Sequence, residues 1–320
     1  MVGTEDGAQS QFWHILADDL TGACDAAIQF RLRGARTRVL TYSGLTYSSV
    51  KPRAEPSRVL AFNTETRGLK EPAIRARIQA LAGLRPQLIF KKIDSLMRGN
   101  PAAEIRAALE AYGCDEAIVT PAYPAMGRRV VNGLLYADTL PGWVPLPVAA
   151  IARDAATDAD LRGMVQSGLA SRRRILWAGS GGLASALAEE LLGPPQTPQA
   201  APALDGPLLF CIGSDHPVTL AQRALLLEHG HRVITAAEVR EPLGALLVTG
   251  GDTAALVCRA SHAEAIELEG EILPGLPWGS IAGGRFHGKF IATKSGAFGA
   301  PDALLRVAEF FGSLKAAPLC

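Results

Sequence analysis

Short apolar runs recur along the chain, each bounded by turn residues and followed by Ala-, Leu- and Arg-rich stretches with helical spacing. Such runs read as buried strands and the stretches between them as helices. The pattern predicts strands over 12–17, 37–41, 59–63, 88–92, 116–120, 175–179, 208–212, 232–235, 245–249 and 290–293. It predicts helices over 23–33, 72–81, 102–112, 161–170, 183–192, 219–228 and 253–261. This alternation implies an α/β fold with mostly parallel sheets. The Pro- and Gly-rich segment Gly193–Gly206 suits neither a helix interior nor a central strand. It divides the chain into two α/β domains, 1–193 and 207–320, joined by a linker over 194–206, and a ligand is expected in the cleft between them.

Composition narrows the function. With 320 residues, 48% of them hydrophobic and 20% charged, the chain can bury a substantial core. Its 32 basic and 31 acidic residues leave a net charge of +1, so no electrostatic footprint for nucleic acid or an anionic membrane is expected. Cys24, Cys114, Cys211, Cys258 and Cys320 are scattered and form no CxxC pair, which speaks against a disulfide framework and a thiolate zinc site. The N-terminal stretch is polar, and no apolar run reaches the length of a membrane span.

Unusual residues collect at the carboxyl ends of the predicted strands, the edge at which open α/β sheets bind ligands. HILADDLTGACDAA places Asp18 and Asp19 between a strand and a helix. Paired carboxylates there suit acid–base work, a magnesium ion or hydrogen bonds from hydroxyls, although Asp19 or Thr21 also suits a plain helix cap. Arg67 in FNTETRGL has the planar fork that matches a carboxylate, and also the makings of a solvated surface charge. IFKKIDSLMRGN crowds Lys91, Lys92, Ile93, Asp94, Ser95, Arg98 and Asn100 together. Alternation along an extended segment turns Lys92 and Asp94 to one face; an exposed, capped turn is the plainer reading. Arg128, Arg129 and Asn132 lie in an irregular loop after another strand and are candidates for the same cleft.

The second half differs in character. CIGSDHPVT, VTGGDTAA, GEILPGLPWG and TKSGAFGAPDAL each join an apolar stretch to a Gly-rich turn. Glycine lets backbone N–H groups approach a phosphate, and a following helix N-terminus adds its dipole. Neither GxxxxGK[ST] nor GxGxxG occurs, which counts against a P-loop and against a dinucleotide-dependent oxidoreductase.

The ordered set ADDLTGACDA, NTETR, KKIDSLMRGN, PAYPAMGRRVVNG, GSGGLASALA, GSDHPVT, VTGGDT, GEILPG and TKSGAFGAPD resembles the four-carbon acid sugar kinase family over nearly the whole chain. The resemblance implies phosphorylation of the terminal hydroxyl of threonate, erythronate or a 3-oxo-tetronate, with ATP and Mg2+ as cofactors. It implies sugar-acid contacts from Asp18, Asp19, Arg67, Lys92, Ile93, Asp94, Ser95 and Arg98. Nucleotide contacts are implied from Ser214, His216, Gly250, Gly251, Asp252, Thr253, Ser295, Gly296 and Gly299. Within that frame Asp94 or Asp18 is expected to accept the hydroxyl proton, Arg67 to clamp the carboxylate, Lys92 or Arg98 to neutralise transferring charge, and Asp252 to help hold magnesium. The expected setting is cytoplasmic, with a small-molecule substrate, no nucleic-acid or membrane partner, and room for a homodimer. Several positions depart from the family pattern: Leu96-Met97 after the KIDS stretch, His216 in the GSDHPVT turn, Leu134 after the Asn-Gly pair, and a short segment between Tyr136 and Ile175. A kinase-like protein that binds these ligands without transfer is the alternative.

Overall fold

The structure is a computed structural model that describes residues 12–41, 58–83, 86–140, 142–148 and 151–312. The N-terminal stretch read above for targeting, and Cys320, lie outside the described residues. The first half contains β1 (Trp13–Ala17), α1 (Leu20–Arg31), β2 (Thr37–Leu40), β3 (Val59–Asn63), α2 (Glu71–Leu81), β4 (Leu88–Lys92), α3 (Pro101–Tyr112) and β5 (Glu116–Thr120). It continues through β6 (Arg129–Val131), β7 (Leu134–Tyr136), β8 (Val144–Pro145), α4 (Asp158–Ala170), β9 (Ile175–Gly179) and α5 (Gly181–Leu192). The second half contains β10 (Leu208–Ile212), α6 (Pro217–Glu228), β11 (Val233–Ile234), β12 (Ala245–Thr249) and α7 (Gly251–Ala260). It ends with β13 (Ala265–Glu271), β14 (Pro277–Ala282), β15 (Phe290–Lys294) and α8 (Ala303–Phe310).

Polar caps set where the helices begin. Asp19 caps α1 by accepting from the Gly22 N–H at 2.7 Å, Asn100 caps α3 ahead of Pro101, and Ser180 caps α5. The helices therefore start one to three residues before the apolar periodicity predicts, because a first turn needs a cap rather than an apolar stripe. The strands β1, β4, β9 and β12 are buried at every position, as expected of parallel strands covered on both faces.

The two halves share one twelve-stranded sheet, ordered β11-β10-β12-β15-β14-β13-β2-β3-β1-β4-β9-β5. Two parallel blocks are joined by β13 and β14, which the apolar pattern does not anticipate; β13 pairs antiparallel with β2 through Ala265–Leu40, Ile266–Val39 and Glu267–Arg38. The antiparallel insert points the two blocks in opposite senses. Each strand step adds about 20–25° of twist, so the six steps from β12 to β1 rotate the sheet through more than a right angle. The carboxyl ends of β12 and β1 consequently face each other: a side chain at Gly251, the first residue of α7, would collide with the Asp19 carboxylate. Helix α1 lies in the angle between the halves, packed on α5, α7 and β13, and is buried from Leu20 to Phe30. One large hydrophobic core runs through both halves, and a smaller one under α8 gathers Phe210, Leu247, Trp278 and Val307. Among the described residues no helix is long and apolar enough to cross a membrane.

Candidate active site

Strand β1 delivers Asp18 and Asp19 to the sheet edge, and the loop after β3 brings Arg67 across to them. The Arg67 guanidinium meets Asp18 at 2.6 Å, Asp19 at 2.8 Å and Asp94 at 3.4 Å. Its fork is thus already engaged by three protein carboxylates, which leaves less of it for the substrate carboxylate that Arg67 is expected to clamp. Arg98 holds Asp94 at 2.6 Å from one side, while 52% of its own side chain stays exposed. The Asp19 side chain both caps α1, as the plain reading of that residue expects, and pairs with Arg67.

The adjacent lysines at the end of β4 point to opposite faces, as strand geometry requires. Lys91 is completely buried and pairs with Glu104 of α3 at 3.0 Å, while Glu104 also accepts from Thr66. Lys92 turns to the cleft, 3.8 Å from Asp25 of α1, and donates to the Ile93 carbonyl at 3.0 Å. Asp25 is buried, and its Oδ1 has no hydrogen-bond partner.

These environments separate the carboxylates. Burial raises Asp94, but the hydrogen bonds and charge of Arg98, with Arg67 behind them, outweigh it and bring its pKa down to about 2. That weakens Asp94 as a proton acceptor, against the role of base expected for it. Asp25 moves the other way, raised by burial that Lys92 only partly offsets. Asp19 is also raised by burial, against the pull of Arg67.

From the second half, three Gly-rich turns converge on this edge. Any side chain at Gly213 would run into Thr253, and one at Gly296 would run into Ser214 and lie 3.2 Å from the His216 Cβ. Gly250 has φ 89°, a conformation that favours glycine, and sits beside Ser214. His216 caps α6, its Nδ1 accepting from the Val218 N–H at 3.3 Å. Lys294, buried at the end of β15, donates to the carbonyls of Ser295 and Phe298, each at 2.9 Å, and to the Thr219 hydroxyl at 3.3 Å. Burial lowers its pKa to about 7.

A single cleft is lined from both halves: Asp19, Thr21, Asp25, Arg67, Lys92, Asp94 and Ser95 on one side, Ser295 and Phe298 on the other. Phe298 closes it by packing edge-on against Tyr123 and beneath the Arg128 guanidinium, 5.1 Å from the ring centre. Ile93 is buried behind the wall, tied to β9 through the Gly179 carbonyl. Arg129 and Asn132 go elsewhere: Arg129 stacks on Tyr136, and Asn132 forms the β6–β7 turn against Asp154. Asp25, Thr21, Phe298 and Lys294 are the functional candidates that the motif reading passes over. The KSGAFG motif names Lys294 and Phe298 indirectly, whereas Asp25 looks like an ordinary helical carboxylate until the burial of α1 is known.

The turns fit a nucleotide. Gly213 and Gly296 let the turns pack directly on Thr253 and Ser214, and α6 and α7 begin at this edge, α7 with no side-chain cap on its first backbone N–H groups. Among the described residues no group of three or more carboxylate, His or Cys side chains could hold a metal by itself. Magnesium of the kind carried on phosphates with one protein carboxylate matches this donor set, and the exposed Asp252 in the first turn of α7 is suited to that part.

The chain matches two family models: a sugar-binding N-terminal domain over residues 13–148 and a nucleotide-binding C-terminal domain over 222–304. It is 28% identical to the D-threonate kinase of Bordetella bronchiseptica over 398 aligned positions, covering 92% of this chain and 96% of that protein. It is 23% identical to the D-erythronate kinase of Heliobacterium modesticaldum over 435 positions, with the same 92% and 96% coverage. Both alignments are longer than the 320 residues present here, so these relatives carry insertions relative to this chain. A crystal structure from Bordetella bronchiseptica, a domain swapped dimer with bound citrate, is 28% identical and covers 94% of this chain and 98% of its own, with a TM-score of 0.50. The crystal structure of a Haemophilus influenzae protein, 18% identical and covering 93% and 100%, shares the fold with a TM-score of 0.66.

Proposed function

Since the chain belongs to the four-carbon acid sugar kinase family, we propose that it transfers the terminal phosphoryl group of ATP to the end hydroxyl of a four-carbon sugar acid. Threonate, erythronate and 3-oxo-tetronate are the substrate class, and the product is the 4-phosphate. The observation that carries this reading is the shared cleft, in which the carboxylates and cations of one half face Ser295, Phe298 and the Gly-rich turns of the other.

Residues 1–193 hold the sugar acid and residues 207–320 hold the nucleotide. Asp19 and Asp94 accept from the substrate's hydroxyls, Ser95 donates, and Arg98, whose side chain is half exposed, draws the carboxylate. Asp18 and Arg67 keep that wall in register. Lys92 places positive charge where the transferred group passes. The turns carrying Ser214, Gly250, Gly251, Thr253, Ser295, Gly296 and Gly299, capped by His216, cradle the phosphates. Magnesium, carried by the nucleotide and Asp252, supplies charge neutralisation when bound. A homodimer is part of this proposal, on the precedent of the dimeric Bordetella structure.

The test is ADP release with Mg-ATP across D- and L-threonate, D- and L-erythronate and the 3-oxo-tetronates. Turnover that depends on one of these acids supports the kinase. Nucleotide binding without turnover on any of them would instead favour the protein that binds but does not transfer.

A further inference from the structure

We propose that Asp25, rather than Asp94, Asp18 or Asp19, accepts the proton of the attacking hydroxyl. This rests on the kinase reading above and adds a residue to it. The argument is one of availability. Asp94 has both oxygens taken by Arg98, and Asp19 is bound by Arg67 and caps α1. Asp18 is bound by Arg67 through Oδ2 and also has an unpartnered Oδ1, but it does not line the cleft. Asp25 lines the same cleft, and one of its oxygens, Oδ1, is buried and without a hydrogen-bond partner. A buried acceptor left open is costly, and a substrate hydroxyl is the group that would satisfy it.

The surroundings keep this carboxylate in place. The Lys92 ammonium stands 3.8 Å from Oδ2 on the side of β4, and Gly181 at the start of α5 lets the carboxylate close in. A Cβ at Gly181 would come within 3.0 Å of both Asp25 oxygens. Arg128 and Tyr123 face it from the segment after β5, Glu271 from the end of β13, and Asp19 from its own helix. Burial raises the affinity of Asp25 for a proton, Asp19 adds to this, and Lys92 and Arg128 offset it only in part; a raised proton affinity is the property a general base needs. In the transfer the hydroxyl O–H bond breaks and its proton passes to Oδ1. The hydroxyl oxygen forms a bond to the γ-phosphorus, and the bond from that phosphorus to the β,γ-bridging oxygen breaks, its electron pair leaving with ADP. Asp25 then returns the proton to solvent.

Asp25→Asn keeps the shape and removes the basicity. With whichever acid the wild type turns over, the variant is expected to lose about 100- to 10,000-fold in kcat while calorimetry shows Mg-ADP binding within about twofold of wild type. The wild-type kcat/KM is expected to fall on the acid side with an apparent pKa above the ordinary carboxylate value of about 4, and residual activity of the variant should lack that limb. An active variant with the wild-type acid limb, or a wild-type profile flat down to pH 4, overturns the assignment of Asp25 and leaves the kinase reading standing. A wild type that turns over none of the acids overturns both.

Discussion

Lys91 and Lys92 are neighbours in sequence with separate work, and the difference comes from which face of β4 each occupies. Lys91 and Glu104 form a buried pair that links β4 to α3 away from the cleft. Removing one partner strands a charge in the interior, so Lys91→Met is expected to cost about 3 kcal/mol in urea unfolding, partly recovered when Glu104→Gln is added, with little change in KM for the acid. If KM shifts and stability does not, Lys91 belongs to the site after all. Arg67→Gln leaves Asp18, Asp19 and Asp94 with one cation fewer; it is expected to destabilise by a similar about 3 kcal/mol and to raise KM for the sugar acid more than KM for ATP. Both effects are checked by unfolding and steady-state kinetics of one preparation. At this scale the sequence was legible where a local rule applied: alternation along an extended strand places Lys92 and Asp94 on the same wall. Asp25 was illegible because its role depends on α1 being covered by α5 and the second half, and nothing local to residues 20–31 encodes that burial.

Among the elements, buried parallel strands were the most readable, since an apolar run of about five residues between turn signals has few other outcomes. The β13–β14 hairpin and the short β6–β8 sheet were not, because Gly, Glu and Pro interrupt their apolar alternation; pairing with β2 and β15 makes β13 and β14 strands. The Gly-rich turns were recognisable as a set, and what the fold adds is their convergence. Gly296 approaches Ser214 so closely that any side chain must shift the turn. Gly296→Ala is therefore expected to raise KM for ATP about tenfold or more, an effect of at least about 1.4 kcal/mol, with KM for the acid and the unfolding midpoint nearly unchanged. Equal effects on both substrates would place Gly296 on the shared wall of the cleft instead of the phosphate side.

For the molecule as a whole, the joined sheet makes the two halves one mechanical unit around α1. The sequence foresaw two α/β halves but not the seam, since strand pairing between residues 38–40 and 265–267 is long-range. Glu271 ends β13, the strand that carries the seam, and burial raises its pKa to about 7. Between its unfolded value near 4.5 and about 7 the folded state holds a proton that the unfolded chain has released. Its contribution to stability is full below that window and is lost as pH rises through it. Glu271→Gln should flatten the decline in unfolding free energy across this range, and an unchanged slope would assign the decline to Asp25 and Asp19. The central claim is that the cleft passes a phosphoryl group from nucleotide to the end carbon of a four-carbon acid. Phosphorus-31 NMR of the mixture of protein, Mg-ATP and each acid in turn tests it most directly. The account predicts, for one acid, a new phosphomonoester resonance split by the two protons of the C4 methylene as the ATP signals decline. Inorganic phosphate as the sole product, or a phosphoester on another carbon, would contradict it.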